Sequence, residues 1–250
     1  MDPHPPPALA TALDQARRLV HSRYPGAVSA VLGGSTARGR ATATSDLDIV
    51  LLLPDGEVTR RETLRHEGRV TEVFAHTRAD LDEIFAADRA SRRGTMLFLY
   101  AESVSVHDPH GHAATLRAEA RAQVAAGPDP LTRKERDDTR YGLTDLLDDL
   151  ADVRDRHEQL VIADQVLTTA SALLTDHHRA WRGNGKWLPR RLMAADPVLG
   201  GALLRAHLTL AEHADCAPLT AIGYEILDLV GGPLREGHSG LWAERGENGG

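Results

Sequence analysis

The sequence GGSTARG at residues 33–39 is followed by SDLD at residues 45–48 and by the aliphatic run IVLLL at residues 49–53. This order predicts a strand that ends in a glycine turn, a short helical start, a loop of small residues and a second, buried strand. Side chains alternate along a strand, so we expect Asp46 and Asp48 to point to the same side of the sheet. This segment therefore places two carboxylates at the start of a buried strand.

Two carboxylates at this spacing suggest a metal site. The Cα atoms of Asp46 and Asp48 should lie roughly 6.5–7 Å apart, which is twice the rise of a strand. Carboxylates this close repel each other unless a cation lies between them. Hard oxygen ligands suit Mg²⁺, which completes its shell with waters and substrate phosphates. The alternative interpretation is that the two carboxylates are only solvated residues at the start of a strand. If they bind a metal ion, the predicted chemistry is metal-assisted phosphoryl or nucleotidyl transfer.

The glycine turn adds features of a phosphate site. Backbone N–H groups at Gly33 and Gly34 can approach an anion, and a helical start places positive partial charge there. Ser35 offers a hydroxyl and Arg38 a fork of donors to triphosphate oxygens. Ser45, in the loop before the acids, is also predicted to bind the nucleotide. The alternative is that the two glycines only make a tight strand-to-helix turn.

The combined motif, Gly34-Ser35, ten further residues and then Asp46-x-Asp48, resembles the nucleotidyltransferase superfamily related to DNA polymerase beta. The likeness is strongest to the enzymes that adenylylate antibiotics, and it extends over residues 27–76 with weaker similarity to residue 112. The resemblance implies two Mg²⁺ ions, ATP as the nucleotide donor and a small-molecule hydroxyl as the acceptor. It thus implies an adenylyltransferase, and an aminoglycoside-like antibiotic as a possible acceptor with a role in antibiotic resistance.

A third carboxylate is expected on a neighbouring strand. Glu72 lies in the alternating segment 69–75, which is predicted to be a strand. The family pattern places an acid on this later strand, so the resemblance makes Glu72 the third metal ligand. A carboxylate is expected to act as general base on the acceptor, either Glu72 or an acid of the helical domain. Glu67 and Asp80 are the alternatives, and Glu72 could instead be an exposed position of an alternating strand.

The chain is predicted to contain an α/β (α+β) catalytic domain with a mixed sheet, residues 1–126, and an all-α helical domain, residues 131–235. Glycine and proline at residues 127–130 mark the boundary. A flexible tail is predicted at residues 236–250. Within the catalytic domain, strands are predicted at residues 27–32, 47–53, 69–75 and 103–107, helices at residues 8–24, 79–90 and 113–126, and a helix or loop at residues 59–67.

The helical domain offers two further candidate sites. Asp145, Asp149 and Asp152 fall on one helix face opposite a leucine stripe, where they are either a solvated surface or an attraction for a cationic acceptor. Lys186 follows a Gly-Asn-Gly break and could reach the β- or γ-phosphate of the nucleotide. It could equally be an exposed residue at a helix start.

Composition limits the classes of function. The formal net charge of −7 disfavours general nucleic-acid binding, which depends on a basic surface. The single cysteine, Cys216, excludes an intrachain disulfide. The leader at residues 1–7 lacks the features of a signal peptide and no apolar run reaches about 18 residues, so we expect a cytoplasmic protein that does not span a membrane. A regulatory or antitoxin-like nucleotidyltransferase that modifies a protein or an RNA is the alternative function.

Overall fold

The computed structural model describes residues 6–42 and 44–236. The chain forms two compact units, residues 1–128 and residues 129–250. The tail predicted at residues 236–250 lies outside the described residues from residue 237 onward. The assignment of a catalytic role to one domain and a substrate role to the other stays a prediction.

The first unit combines helices with one sheet. Its elements in chain order are α1 (Pro7–Arg23), β1 (Ser29–Leu32), α2 (Gly34–Ala37), β2 (Leu47–Leu52), β3 (Arg60–His66), β4 (Arg69–His76), α3 (Arg78–Ser91), α4 (Thr95–Ala101), β5 (Val104–His107) and α5 (His112–Ala126). The predicted strands and helices in this unit differ from the observed ones by at most two residues at either end, except at residues 59–67.

The sheet is mixed, as predicted. Its strand order is β3-β4-β2-β1-β5. Strands β2 and β4 run parallel, whereas the other neighbouring pairs are antiparallel. One face of the sheet packs against α1, because Leu47, Ile49 and Leu51 share a core with the apolar side of that helix. Side chains alternate along β2, so Asp48 lies on the opposite face.

Strand β3 corrects the prediction of a helix or loop at residues 59–67. Residues Arg60–His66 pair antiparallel with β4 along their whole length, from Arg60 opposite Ala75 to His66 opposite Arg69. The strand lies at the sheet edge, and its side chains alternate between half-buried and exposed. An edge strand needs no apolar face, so its polar sequence carries little hydrophobic pattern. The pairing that stabilises it comes from β4, outside the segment itself.

Strand β5 is joined to α5 by a turn that caps the N-terminus of the helix. The carboxylate of Asp108 accepts hydrogen bonds from the backbone N–H groups of Ala113 and Ala114, each at 3.0 Å. Gly111 has a φ of 79°, the left-handed region that favours glycine. The Asp-Pro-x-Gly sequence at residues 108–111 is therefore a helix cap.

The second unit is helical in its described part, as predicted. It contains α6 (Arg133–Asp152), α7 (Arg156–His177), a 3₁₀ helix (Gly185–Trp187), α8 (Leu188–Ala195), α9 (Leu199–His213) and α10 (Ala217–Leu229). A capping box between Thr132 and Glu135 starts α6. Leucines at the predicted helical spacing form the core, among them Leu143, Leu147 and Leu150. In the residues that the structure describes, none of the helices has the length and hydropathy needed to cross a membrane.

Candidate metal and nucleotide site

Three carboxylates meet at the start of β2 and β4. The parallel pairing places Asp48 directly opposite Glu72, and Asp46 lies one residue before β2. One carboxylate oxygen from each of Asp46, Asp48 and Glu72 lies within 4.8 Å of the other two, and all three residues are half-buried. We call these residues the carboxylate cluster. It is the set of side chains that the sequence analysis selected as metal ligands.

The donor set of the carboxylate cluster fits a hard divalent cation. All three ligands are carboxylate oxygens, which suit Mg²⁺ or Mn²⁺ and do not suit metals that prefer sulfur or imidazole. Asp46 immediately precedes β2, Asp48 is the second residue of β2, and Glu72 lies in β4. The backbone of two paired strands therefore fixes the positions of these half-buried acids.

The glycine turn lies directly against this cluster. The N–H of Gly33 donates to the carbonyl oxygen of Asp48 at 2.8 Å. Gly34 has a φ of +64°, and a Cβ added there would lie 1.7 Å from Oδ2 of Asp48. A Cβ added to Gly33 would lie 2.8 Å from Cδ2 of Leu99. The two glycines are thus required by close packing as well as by backbone conformation.

The turn after the glycines presents donors that have no partner within it. Helix α2 is a single turn, so its contribution to anion binding comes from the first N–H groups of that turn rather than from a long helix dipole. The Ser35 hydroxyl makes no hydrogen bond to the described residues, and Ser35 is half-buried. A hydroxyl and free N–H groups next to a carboxylate cluster are suited to a phosphate chain.

Two of the predicted nucleotide-binding side chains have protein partners. Nη1 of Arg38 donates to Oε2 of Glu102 at 2.8 Å. The hydroxyl oxygen of Ser45 accepts from the backbone N–H of Thr42 at 2.8 Å, which shapes the loop before the acids. Their roles toward a nucleotide stay predictions.

Arg69 is a site residue that the sequence analysis missed. Its Nε donates to the carbonyl oxygen of Ser45 at 3.0 Å, and its Nη2 donates to the hydroxyl of Thr36 at 2.9 Å and to the carbonyl oxygen of Asp46 at 3.2 Å. The buried Thr36 hydroxyl also donates to the Asp46 carbonyl at 3.3 Å. One guanidinium thus holds the loop that carries Asp46 against α2. As the first residue of a predicted strand, Arg69 gave no sign of these contacts.

Arg61 is a second residue that the sequence analysis missed. Its Nη2 donates to Oε1 of Glu72 at 2.7 Å. It belongs to β3, the segment for which no strand was predicted. Without that strand, nothing in the sequence connects Arg61 with Glu72.

Glu67 and Asp80, the alternatives to Glu72 as third metal ligand, interact with other side chains. Arg18 donates two hydrogen bonds to the carboxylate of Glu67 at 2.6 and 2.8 Å, and this contact lowers the pKa of Glu67. Asp80 accepts hydrogen bonds from Thr59 and Thr77, which lower its pKa. Among the described residues, the carboxylate cluster is the group of acids placed to share a metal ion.

The candidate residues of the helical domain belong to the second unit. Asp145, Asp149 and Asp152 are exposed on α6, opposite its buried leucines. A groove of about 660 Å³ between α6 and α7 is lined by three acidic side chains, three apolar side chains and one histidine: Asp149, Asp152, Glu158, Val153, Val161, Ile162 and His157. Lys186 is exposed in the 3₁₀ helix. The functions of these residues stay predictions.

A comparison with known protein families matches part of the first unit. Residues 13–95 match a family model described as a nucleotidyltransferase domain, and these residues include the glycine turn and the whole carboxylate cluster. No curated protein matches the chain significantly. A solved structure, a nucleotidyltransferase-like protein from Exiguobacterium sibiricum, is similar over 87% of this chain and 73% of its own, with 13% sequence identity and a TM-score of 0.42. The family match shows that residues 13–95 resemble a nucleotidyltransferase domain.

Proposed function

We propose that the protein is a Mg²⁺-dependent nucleotidyltransferase that transfers AMP from ATP to a hydroxyl group of a small molecule. The observation that carries this proposal is the carboxylate cluster, three half-buried acids with ligand atoms within 4.8 Å of one another, next to the glycine turn. The match of residues 13–95 to a nucleotidyltransferase domain supports the same class of reaction. ATP as the donor and two Mg²⁺ ions are carried over from the resemblance.

Each part of the site has a proposed task. Asp46, Asp48 and Glu72 would hold the divalent metal, which would stabilise phosphate charge and make the acceptor hydroxyl more acidic. The N–H groups of the glycine turn and the Ser35 hydroxyl bind the triphosphate, and Arg38 and Ser45 border it. In the reaction the acceptor oxygen bonds to the α-phosphorus, the bond to the β-phosphate oxygen breaks and pyrophosphate leaves.

The acceptor proton needs a base. The proposed base is a carboxylate, either Glu72, which is half-buried in the cluster, or an acid of the helical domain, and it takes the hydroxyl proton as the oxygen attacks. Lys186 is proposed to contact the β- or γ-phosphate. The roles proposed for the base and for Lys186 both follow from the resemblance to nucleotidyltransferases.

For the acceptor we propose a hydroxylated small molecule, with aminoglycoside-like antibiotics as the first class to test. The groove that includes Asp149 and Asp152 supports this class, because acidic walls with apolar side chains between them attract a polycation with a carbohydrate skeleton. Asp145 extends the same acidic face of α6.

The direct test is transfer of label from [α-³²P]ATP in the presence of Mg²⁺, with a panel of aminoglycosides and lincosamides as acceptors. We expect a labelled product and release of pyrophosphate, both lost in D48N. The matched control is D55N, because Asp55 is exposed in the turn after β2 and lies outside the cluster. Product formation that survives in D48N, or the absence of nucleotide consumption with Mg²⁺ and all four nucleoside triphosphates, would contradict the proposal.

The same assay separates the alternative function. Incubation of the enzyme with labelled ATP and cell lysate, followed by gel electrophoresis, detects label on a protein or an RNA. Label on a macromolecule that depends on Asp48, together with no small-molecule product, would favour a regulatory nucleotidyltransferase over an antibiotic-modifying one.

A further inference from the structure

Arg61 is a cation placed at the rim of the carboxylate cluster. Its Nη2 donates to Oε1 of Glu72 at 2.7 Å, and its guanidinium lies 5.1 Å from the ring centroid of Phe74. Arg61 is opposite Phe74 in the antiparallel register of β3 and β4, so the ladder itself brings these side chains together. Glu72 and the aromatic ring therefore hold the guanidinium in a defined position.

Most of the hydrogen-bonding capacity of Arg61 remains unused. Arginine carries five N–H donors, and among the described residues the guanidinium of Arg61 donates only to Glu72. Its side chain is 62% exposed. A positioned guanidinium with donors directed to solvent, beside a metal-ligand set, has the chemistry of an anion-binding group.

The position of Arg61 across the sheet indicates which part of a substrate it would meet. The strand order places β1 with its glycine turn on one side of β2, and β4 followed by β3 on the other. Strands β3 and β1 are three strand spacings apart, roughly 14 Å. The glycine turn and Arg61 therefore lie on opposite sides of β2, and Arg61 borders the carboxylate cluster on the side away from the turn.

We propose that Arg61 binds an anionic oxygen of the substrate at the carboxylate cluster, on the side away from the glycine turn. The oxygen belongs either to the α-phosphate of the nucleotide or to an anionic group of the acceptor. This inference rests on the proposed function. The alternative is that Arg61 only neutralises the charge of Glu72. The two roles predict different changes in metal and anion affinity when Arg61 is replaced.

The R61Q variant separates the two roles through the direction of two binding changes. Removing the cation beside Glu72 removes a competitor for the carboxylate, so binding of Mn²⁺ alone should become roughly threefold tighter. Binding of a metal-held anion should become roughly tenfold weaker or more, because a charge-assisted hydrogen bond is lost. R61K, which keeps the charge but loses the planar fork, should recover only part of the anion affinity.

Both quantities are measured by isothermal titration calorimetry with the full-length protein. The probes are Mn²⁺ alone, α,β-methylene-ATP with Mn²⁺, and inorganic phosphate added to Mn²⁺-loaded protein with and without the analogue. The matched control is R65Q. Arg65 is exposed on the same face of β3, four residues further along, and lies opposite Val70. Its Nη1 donates to the carbonyl oxygen of Gly68 rather than to Glu72. R65Q should leave all these affinities unchanged.

The outcomes identify the source of the anion. Weaker binding of the analogue by R61Q assigns the contact to the nucleotide. Unchanged analogue binding with loss of phosphate binding assigns it to the acceptor, and such an acceptor would not be a simple polycation. If neither anion is affected, or if metal and anion affinities change in the same direction, Arg61 is only a counter-ion and the inference is wrong. A wild-type protein that binds no analogue contradicts the proposed function, whereas the phosphate titration still tests Arg61.

Discussion

The carboxylate of Asp48 lies against the Cα of Gly34, so closely that a Cβ on Gly34 would be 1.7 Å from Oδ2 of Asp48. The glycine turn and the acids at the start of β2 are therefore packed directly against each other. Ten residues separate Ser35 from Asp46 in the sequence, and the fold returns the second segment directly onto the first.

The variant G34A tests this packing. The new methyl group must displace the Asp48 carboxylate, so we expect metal affinity at least about tenfold lower, beyond the roughly 1 kcal/mol that an alanine costs in the left-handed region. Calorimetric titration of Mn²⁺ and thermal unfolding measure the two effects separately.

The control for this prediction is G39A. Gly39 has a φ of +66°, nearly that of Gly34, but a Cβ there would have no atom within 4 Å. G39A should lose a similar amount of stability from backbone strain and keep its metal affinity. Equal metal affinities in G34A and G39A would show that the contact with Asp48 is unimportant.

Arg69 is expected to position Asp46. The variant R69M removes the hydrogen bonds to Ser45, Asp46 and Thr36 and should weaken Mn²⁺ binding about tenfold, with a loss of about 1–3 kcal/mol in unfolding free energy. R69K should recover stability more than metal affinity, because a lysine can reach one carbonyl but cannot bridge the loop and α2. Metal affinity that is unchanged in R69M would exclude a positioning role.

Acid should destabilise the first unit through His76. Burial lowers the pKa of His76, and neither ring nitrogen has a hydrogen-bond partner among the described residues. The unfolded chain therefore takes up a proton before the folded one. The free energy of unfolding should fall as the pH drops below about 6.5, toward the lower pKa of the folded state.

The variant H76L should remove this part of the pH dependence, as measured by urea unfolding between pH 7.5 and 5. The control H21L replaces an exposed histidine of α1 and should keep the slope. Carboxylates with lowered pKa values, such as Glu62, also destabilise the fold in acid, but only below their unfolded pKa of about 4.3. A slope above pH 5 that persists in H76L would assign the effect to another group.

In the second unit, Asp176 is expected to be the carboxylate that matters most for stability. Its side chain is 1% exposed and accepts hydrogen bonds from Nε of Arg136 at 3.0 Å and from the backbone N–H of Leu131 at 2.9 Å. D176A leaves both donors without this acceptor, and we expect a loss of about 3 kcal/mol in urea unfolding. D138N, which removes an exposed ion pair with Lys134 on α6, should cost less than about 0.5 kcal/mol.

Much of the fold could be predicted because its signals are local. Helical spacing of apolar residues, glycine and proline breaks and an aliphatic run each lie within a short window of sequence. Strand β3 was missed because its residues pair at a sheet edge and bury no continuous apolar face. Its stability depends on β4, and a window centred on residues 60–66 does not contain that partner.

The candidate site, like the fold, could be predicted from the sequence only in part. The residue types and spacing of Gly34, Ser35, Asp46 and Asp48 already predict a glycine turn next to paired acids, because these residues lie within fifteen consecutive positions. Glu72 could be named from the resemblance, but only the parallel register of β2 and β4 places it opposite Asp48.

The sequence by itself thus determined the chemistry of the turn and the acids, since these depend on neighbours along the chain. Tertiary structure alone decided which distant side chains surround them: Arg69 on the loop of Asp46 and Arg61 on Glu72. The physical reason is that strand order and register are fixed by hydrogen bonds and burial between different segments of the chain. Such contacts leave no periodic pattern in either segment.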